Sequence, residues 1–196
     1  MILKNSKLKI KNRGFTLIEI LTSVFVLSII FGIVSNLFLS FLQVQRRSLA
    51  LQGIMSETSY VMEYMSRQIR MAKKDIDGTC GFGSKVNFAI STIGTSLCLK
   101  FFSYDEKCVT FCGDETNGIL NVQIGSDLNP FPLFSTTTVV EKFNINLIGA
   151  QQPPGDTNQP RVTIFMKIRG KGEKPEFQPV FQIQTTISQR NLDVAE

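Results

Sequence analysis

The stretch that decides the fold is FTLIEILTSVFVLSIIFGIVSNLFLSFL, residues 15–42, whose only charged side chain is Glu19. As an α-helix it would extend roughly 42 Å at 1.5 Å per residue, more than the ~30 Å hydrocarbon core of a bilayer. It is longer than the apolar region of a secretory signal peptide, about 7–15 residues, and no small-residue cleavage site follows it. We therefore predict a retained membrane-spanning helix over residues 15–42.

The charge of the chain is concentrated before this span. The 196 residues include 21 Lys and Arg, 16 Asp and Glu, and no His. Residues 1–14 contain no acid and five bases, namely Lys4, Lys7, Lys9, Lys11 and Arg13. Removing those five leaves 16 bases against 16 acids, so the composition indicates no nucleic-acid partner. The positive-inside rule predicts that residues 1–14 are cytoplasmic and that everything after Leu42 lies outside.

Glu19 is anomalous within an apolar span. An ionisable group costs on the order of 2.5–3.5 kcal/mol at mid-membrane and less near an end of the span. A carboxyl near the interface could stay hydrated or be protonated. The alternative is that Glu19 pairs with a cation in the membrane, which the sequence favours because no other charge occurs before Arg46.

The segment Arg13-Gly14-Phe15-Thr16-Leu17-Ile18-Glu19 resembles the processing site of type IV prepilins and type II secretion pseudopilins. The resemblance implies that residues 1–14 are a leader peptide, cut between Gly14 and Phe15 by a prepilin peptidase that also methylates Phe15. It implies that Glu19 is the assembly carboxylate. The implied partners are this peptidase/methyltransferase, other pilins or pseudopilins through the N-terminal helix, an inner-membrane assembly platform and membrane lipid, with no cofactor.

Cleavage after Gly14 would create an α-ammonium at the cytoplasmic face, and a carboxylate in lipid becomes tolerable when paired with such a cation. If Glu19 of an incoming subunit meets the Phe15 amine of its neighbour, the pair sets the stagger between subunits. An intramolecular Phe15–Glu19 pair, one helical turn apart, is the other possibility.

The helix is predicted to continue beyond the membrane, over residues 43–77. An apolar stripe recurs at helical spacing at Leu51, Ile54, Thr58, Val61, Met65 and Ile69, and the opposite face is assigned Arg46, Arg47, Glu57 and Glu63. Four methionines in this part of the chain are interpreted as core filling: Met55, Met62, Met65 and Met71. No Pro occurs before Pro130, whereas major pilins often have one within the span, so the resemblance favours a minor subunit.

Residues 78–196 are predicted to form a β-rich domain, because short apolar runs alternate with Gly, Asp, Asn and Pro. The expected strands are 86–91, 97–104, 107–111, 119–124, 139–148, 161–168 and 177–187. The predicted fold class is therefore α+β, pilin-like, with a long N-terminal helix packed against a C-terminal antiparallel sheet.

All four cysteines lie in the exported part: Cys80, Cys98, Cys108 and Cys112. An oxidising exterior favours disulfides, with three possible connectivities. The preferred pairing is Cys108–Cys112 with Cys80–Cys98. A four-thiolate zinc site is the sharper alternative, although the C-x2-C spacing typical of such sites is absent. Four carboxylates near the cysteines could bind calcium, but a solvated acidic turn is the favoured interpretation: Asp105, Glu106, Asp114 and Glu115.

No motif for catalysis or for a bound metal appears in the sequence. The predicted function is a minor pilin or pseudopilin, which is a structural subunit of the inner membrane and then of a pilus or pseudopilus. The alternative is a single-pass, membrane-anchored binding module that never polymerises.

Overall fold

The computed structural model describes residues 14–125, 129–152, 155–172, 175 and 178–190. The predicted leader therefore lies outside the described residues, apart from Gly14. The chain divides into two compact units, Met1–Gln45 and Arg46–Glu196. One helix, α1 (Leu17–Arg70), contributes residues to both units.

In the first unit, α1 is apolar and exposed. Among the described residues, α1 is the one helix that is long and apolar enough to cross a membrane, and none of its apolar window is buried. Large side chains such as Phe25, Phe31 and Phe38 are 59–72% exposed. Such a surface is stable in lipid or against other helices rather than in water.

In the second unit, the outer half of α1 buries the predicted stripe. Its buried residues are Ile54, Thr58, Val61, Met62, Met65 and Ile69, and Leu51 is half-buried. The helix ends at Arg70 rather than at residue 77, the predicted end. The chain leaves the helix because the N–H of Lys73 donates to the carbonyl of Phe102, 2.9 Å away, and so joins the edge of a strand.

The prediction that the four methionines fill the core is confirmed for two of them. Met62 and Met65 are in the core, at 6% and 0% exposure, whereas Met55 and Met71 are 43% and 39% exposed. The assignment of Glu57 to the outer face is wrong, because its carboxylate accepts hydrogen bonds from the N–H of Ser135 and the hydroxyl of Thr138. Glu57 lies three residues after Ile54, on the packed side of the helix.

The α+β prediction is confirmed, with two antiparallel sheets in place of the single expected one. The first sheet is a five-stranded meander, and its strands are β1 (Phe88–Ile93), β2 (Ser96–Phe102), β3 (Cys108–Asp114), β4 (Ile119–Ile124) and β5 (Phe131–Pro132). The second sheet has the order β6-β7-β8, with β6 (Thr138–Ile148), β7 (Arg161–Gly170) and β8 (Val180–Ser188). The two-residue strand β5 was not predicted.

The core lies among α1, the first sheet and the second sheet. Phe101 and Phe111 are fully buried with ring centroids 5.7 Å apart, and Tyr64 of α1 meets Phe111 edge to face at 6.1 Å. Burial raises the pKa of Tyr64, and its neighbour Tyr60 adds to the effect. A close approach between the sheets occurs at Gly113, where any Cβ would overlap the side chain of Phe143 on β6.

Candidate processing and assembly site

The predicted processing site lies at the start of α1 and is accessible. Gly14 is exposed, and a Cβ placed on it would meet no described atom within 4 Å. The side chain of Phe15 is 79% exposed. The first helical residue is Leu17, two residues after Phe15. An exposed and unobstructed Gly14–Phe15 bond just before a helix is accessible to a peptidase.

At this helix start the carboxylate of Glu19 accepts hydrogen bonds from Thr16, which is the carboxylate half of a capping box. Thr16 donates its backbone N–H and its hydroxyl to one carboxylate oxygen of Glu19, at 3.4 and 3.3 Å. The carbonyl of Thr16 in turn accepts the N–H groups of Glu19 and Ile20, at 3.1 and 3.3 Å. The carboxylate also sits in the first helical turn, where the helix dipole favours negative charge.

Sequence reasoning missed this pair, although the T-x-x-E spacing of a capping box is visible in the sequence. Its consequence is that the carboxylate of Glu19 faces Thr16 rather than Phe15 in the described chain. In the predicted intramolecular pair, the amine of Phe15 would therefore compete with Thr16 for the carboxylate of Glu19.

The hydroxyls that follow Glu19 are also satisfied within the helix. Thr22 and Ser23 donate to the carbonyl of Glu19, at 3.1 and 2.7 Å. Ser28 and Ser35 likewise donate to carbonyls four residues earlier. These hydroxyls thus need no external partner, and Glu19 is the one charged residue of the apolar segment.

The cysteines form two disulfides, as the sequence predicts, but the preferred pairing is wrong. The bonds join Cys80 to Cys108 and Cys98 to Cys112. Cys108 and Cys112 lie four residues apart on one strand, which places them roughly 13 Å apart, too far for a bond. Cys98 and Cys112 are direct partners across β2 and β3, with Cα atoms 4.1 Å apart. Since these bonds use all four sulfurs, the zinc alternative is wrong as well.

Three of the four acidic residues considered for calcium have protein partners. Asp114 accepts hydrogen bonds from Thr116 and Asn117, and those from Asn117 contribute most to lowering the pKa of Asp114. Glu115 accepts the N–H of Phe143, and Glu106 pairs with Lys73. The described residues contain no group of three or more potential metal-binding side chains.

The family comparison covers the part of the chain that contains this site. The family model for the prokaryotic N-terminal methylation motif matches residues 9–35, which include Gly14, Phe15 and Glu19. With the long apolar N-terminal helix, this match confirms the resemblance to the type IV pilin and pseudopilin family. The motif and the α+β fold indicate a structural subunit rather than an enzyme. Comparisons with curated proteins and with solved structures gave no match.

Proposed function

We propose that this protein is a minor pilin or pseudopilin, made as a membrane precursor and assembled into a filament. A prepilin peptidase cuts between Gly14 and Phe15 and methylates the new amine of Phe15. The observation that carries the proposal is the start of α1, where an exposed Gly14–Phe15 bond directly precedes a capped carboxylate and a fully exposed apolar helix.

In the assembled state the Glu19 carboxylate pairs with the α-ammonium of Phe15 in a neighbouring subunit. The hydrogen bonds from Thr16 hold the carboxylate near the start of the helix, on the same turn as Phe15 of its own chain. A cation that replaces a neutral hydroxyl as partner makes a stronger, charge-assisted hydrogen bond. The pair therefore sets the register between subunits.

We propose that the second unit lies outside the cytoplasmic membrane, with residues 1–14 inside before cleavage. Five basic residues precede the span, and both disulfides lie after it. Disulfides persist in oxidising compartments, which supports this orientation. The partners are then other pilin-like subunits, the assembly platform and membrane lipid.

The test is the intact mass and N-terminal sequence of the protein extracted from the membranes of its own host. A chain that starts at N-methyl-Phe15 supports processing as a prepilin. A chain that starts at Met1 while the peptidase is active contradicts it and favours the membrane-anchored binding module. Detection of the processed chain in sheared filaments, with a cytoplasmic-membrane protein as the control for contamination, then separates assembly from anchoring alone.

A further inference from the structure

The two edge strands of the second sheet differ in their protection against pairing with another chain. β6 has a register shift between Val140 and Lys142, carries charges at Glu141 and Lys142, and donates its Val140 N–H to the carbonyl of Gly118. β8 pairs with β7 through nine consecutive residue pairs with no register shift. Its sequence, VFQIQTTIS, contains no charge, Gly or Pro. Because bulges, charges and Pro are what blocks strand addition, β8 has an unprotected edge.

Two backbone hydrogen bonds identify which groups of β8 point outward. Gly170 donates to the carbonyl of Pro179 at 3.0 Å, and Gln189 donates to that of Pro160 at 3.1 Å. In an antiparallel pair of strands, every second residue forms hydrogen bonds with the partner strand. Since Pro179 and Gln189 are bonded to the β7 side in the same register, the odd-numbered residues of β8 are the ones that bond to β7. The N–H and C=O groups of Gln182, Gln184 and Thr186 therefore face away, and no other described strand pairs with them.

The inward side chains of β8 are also incompletely covered. Phe181 and Ile183 are only half-buried, whereas their partners on β7, Ile168 and Met166, are fully buried. An added strand with apolar side chains at alternate positions would extend this face and cover both residues. Strand addition of this kind obtains affinity from main-chain hydrogen bonds and specificity from alternate side chains.

A basic groove lies at the Ser188 end of the same edge. It has a volume of about 340 Å³ and is lined by Glu63, Ser66, Arg67, Arg70, Met71 and Arg190. The N–H of Arg190 donates to the carbonyl of Arg70 at 2.8 Å, which joins the groove to the end of β8. Its only carboxylate, Glu63, pairs with Arg67 at 3.0 Å. Among the described residues, no carboxylate pairs with Arg70 or Arg190, so the groove suits an anionic partner.

We propose that the free edge of β8 and this arginine groove together bind an extended segment of another exported protein, which pairs antiparallel to β8 and places an acidic residue near its own N-terminal end against Arg70 and Arg190. The partner segment is uncharged along β8 and alternates apolar with polar side chains. This inference goes beyond the subunit role and requires only the second unit, so it can fail while processing at Gly14 stands.

The probe is a fluorescent, acetylated ten-residue peptide that begins with two Asp residues and continues with alternating Thr and Val. It is made in two forms, N-methylated on alternate residues so that each form keeps hydrogen-bond donors on one edge only. Binding to the full chain in detergent micelles is followed by fluorescence anisotropy, with empty micelles as the blank. Strand addition predicts that one form binds and that the other binds at least about tenfold more weakly. The proposal is overturned if both forms bind equally well, or if neither form binds at concentrations up to about 1 mM.

Matched variants test the two parts of the surface separately. Gln184→Pro removes an outward N–H without removing a bond to β7, and should abolish binding, whereas Gln184→Ala should not change it. The double variant Arg70→Gln, Arg190→Gln should remove the preference for the Asp-Asp peptide over its Asn-Asn counterpart. Lys171→Gln, near the opposite end of the edge, should keep that preference. If the Arg variants also keep it, the groove is not part of the site.

The other candidate for binding this surface is the chain's own C-terminal segment, because residues 191–196 include the acidic residues Asp193 and Glu196. A shortened chain that ends at Arg190 tests this candidate. Unchanged peptide binding by this shorter chain supports a segment from another protein. Binding that becomes tenfold tighter would mean that the chain's own C-terminus occupies the surface, and the proposal of a foreign segment would be wrong.

Discussion

Glu19 has two possible partners, and the structure shows the first of them. In the described chain its carboxylate accepts the backbone N–H and hydroxyl of Thr16. Loss of an N-terminal cap typically costs about 0.5–2 kcal/mol, so transfer of the carboxylate to a neighbouring α-ammonium must offset that amount. The capping box thus keeps the carboxylate satisfied before assembly without a strong commitment to one partner.

Replacement of Glu19 by Ala should separate processing from assembly. Glu19→Ala leaves Gly14 and Phe15 unchanged, so insertion and cleavage should proceed. Incorporation into filaments should fall at least about tenfold, because removal of one partner leaves the other charge buried and uncompensated, at a cost of about 3–5 kcal/mol. Immunoblots of sheared filaments against membrane-retained protein measure both steps. Ser23→Ala, which removes a hydroxyl bonded to the Glu19 carbonyl, is the control. Normal incorporation of Glu19→Ala would contradict the register pair.

Gly14 should be required for cleavage. A branched side chain in Gly14→Val restricts the backbone that the peptidase must bind, and it would stand where the structure now has open space. We expect the variant to retain residues 1–14, which intact-mass measurement detects directly. Gly32→Ala, inside the apolar segment, should be processed normally. Cleavage of Gly14→Val at the normal extent would argue against Gly14 as the processing residue.

At the scale of secondary-structure elements, the register of β2 and β3 decides the disulfides. It places Cys98 opposite Cys112 and leaves Cys108 opposite Phe102, so that Cys108 bonds to Cys80 in the segment between α1 and β1. Asp75 supports that segment by accepting the N–H groups of Thr79 and Cys80, at 2.8 and 3.0 Å. The two bonds thus secure the middle of the first sheet and the chain that enters it.

A non-reducing tryptic digest distinguishes this connectivity from the one that spacing favours. The four cysteines fall on the tryptic peptides 75–85, 86–100 and 108–142. The structure predicts one species that links all three peptides. The Cys80–Cys98 and Cys108–Cys112 pairing would instead give peptides 75–85 and 86–100 linked together, with 108–142 separate. Further cleavage after Phe111 should then release the Cys80–Cys108 and Cys98–Cys112 pairs as distinct masses.

At the scale of the whole molecule, two glycines should respond with opposite signs to the same substitution. Gly113→Ala places a Cβ against the side chain of Phe143, and we expect a destabilisation of about 1–3 kcal/mol. Gly53 is in α1 with no described atom within 4 Å of a Cβ, so Gly53→Ala should stabilise by about 0.5–1 kcal/mol. Thermal unfolding of the detergent-solubilised chain measures both. A stabilising effect of Gly113→Ala would contradict the packing of β3 against β6.

Acid should weaken the second unit through Glu141. Its carboxylate lies 2.8 Å from Lys167 Nζ and also binds Arg169, and these hydrogen bonds lower its pKa. A carboxyl with a lowered folded-state pKa stabilises the fold above its ordinary pKa near 4.5, and the contribution is lost as the pH falls through the lowered value. Glu141→Gln should therefore melt below the parent protein at pH 7, and the difference should shrink as the pH falls below 4.5. A difference that is constant with pH would exclude this role.

Much of the fold could be predicted because its signals are local. Apolar spacing identified the helix and five of its six buried positions, and strand β4 was predicted with its exact bounds, Ile119–Ile124. The prediction that Glu57 lies on the outer face was wrong, because Glu57 is three residues after the buried Ile54 and so lies on the same side of the helix. Its charge is tolerated there because Ser135 and Thr138 donate hydrogen bonds to it. The division into two sheets and strand β5 depend on contacts between distant segments, which no local pattern contains.

The sequence by itself determined the membrane-compatible helix, the prepilin-like motif at Gly14–Glu19 and the α+β class, because hydrophobicity, charge order and periodicity act over a few residues. Only the tertiary structure decided which cysteines are bonded, since that follows from strand register. It also decided which edge of the second sheet is open, since an edge is defined by the strands that are not beside it. The arginine groove beside β8 is likewise assembled from α1 and Arg190, more than a hundred residues apart in the chain.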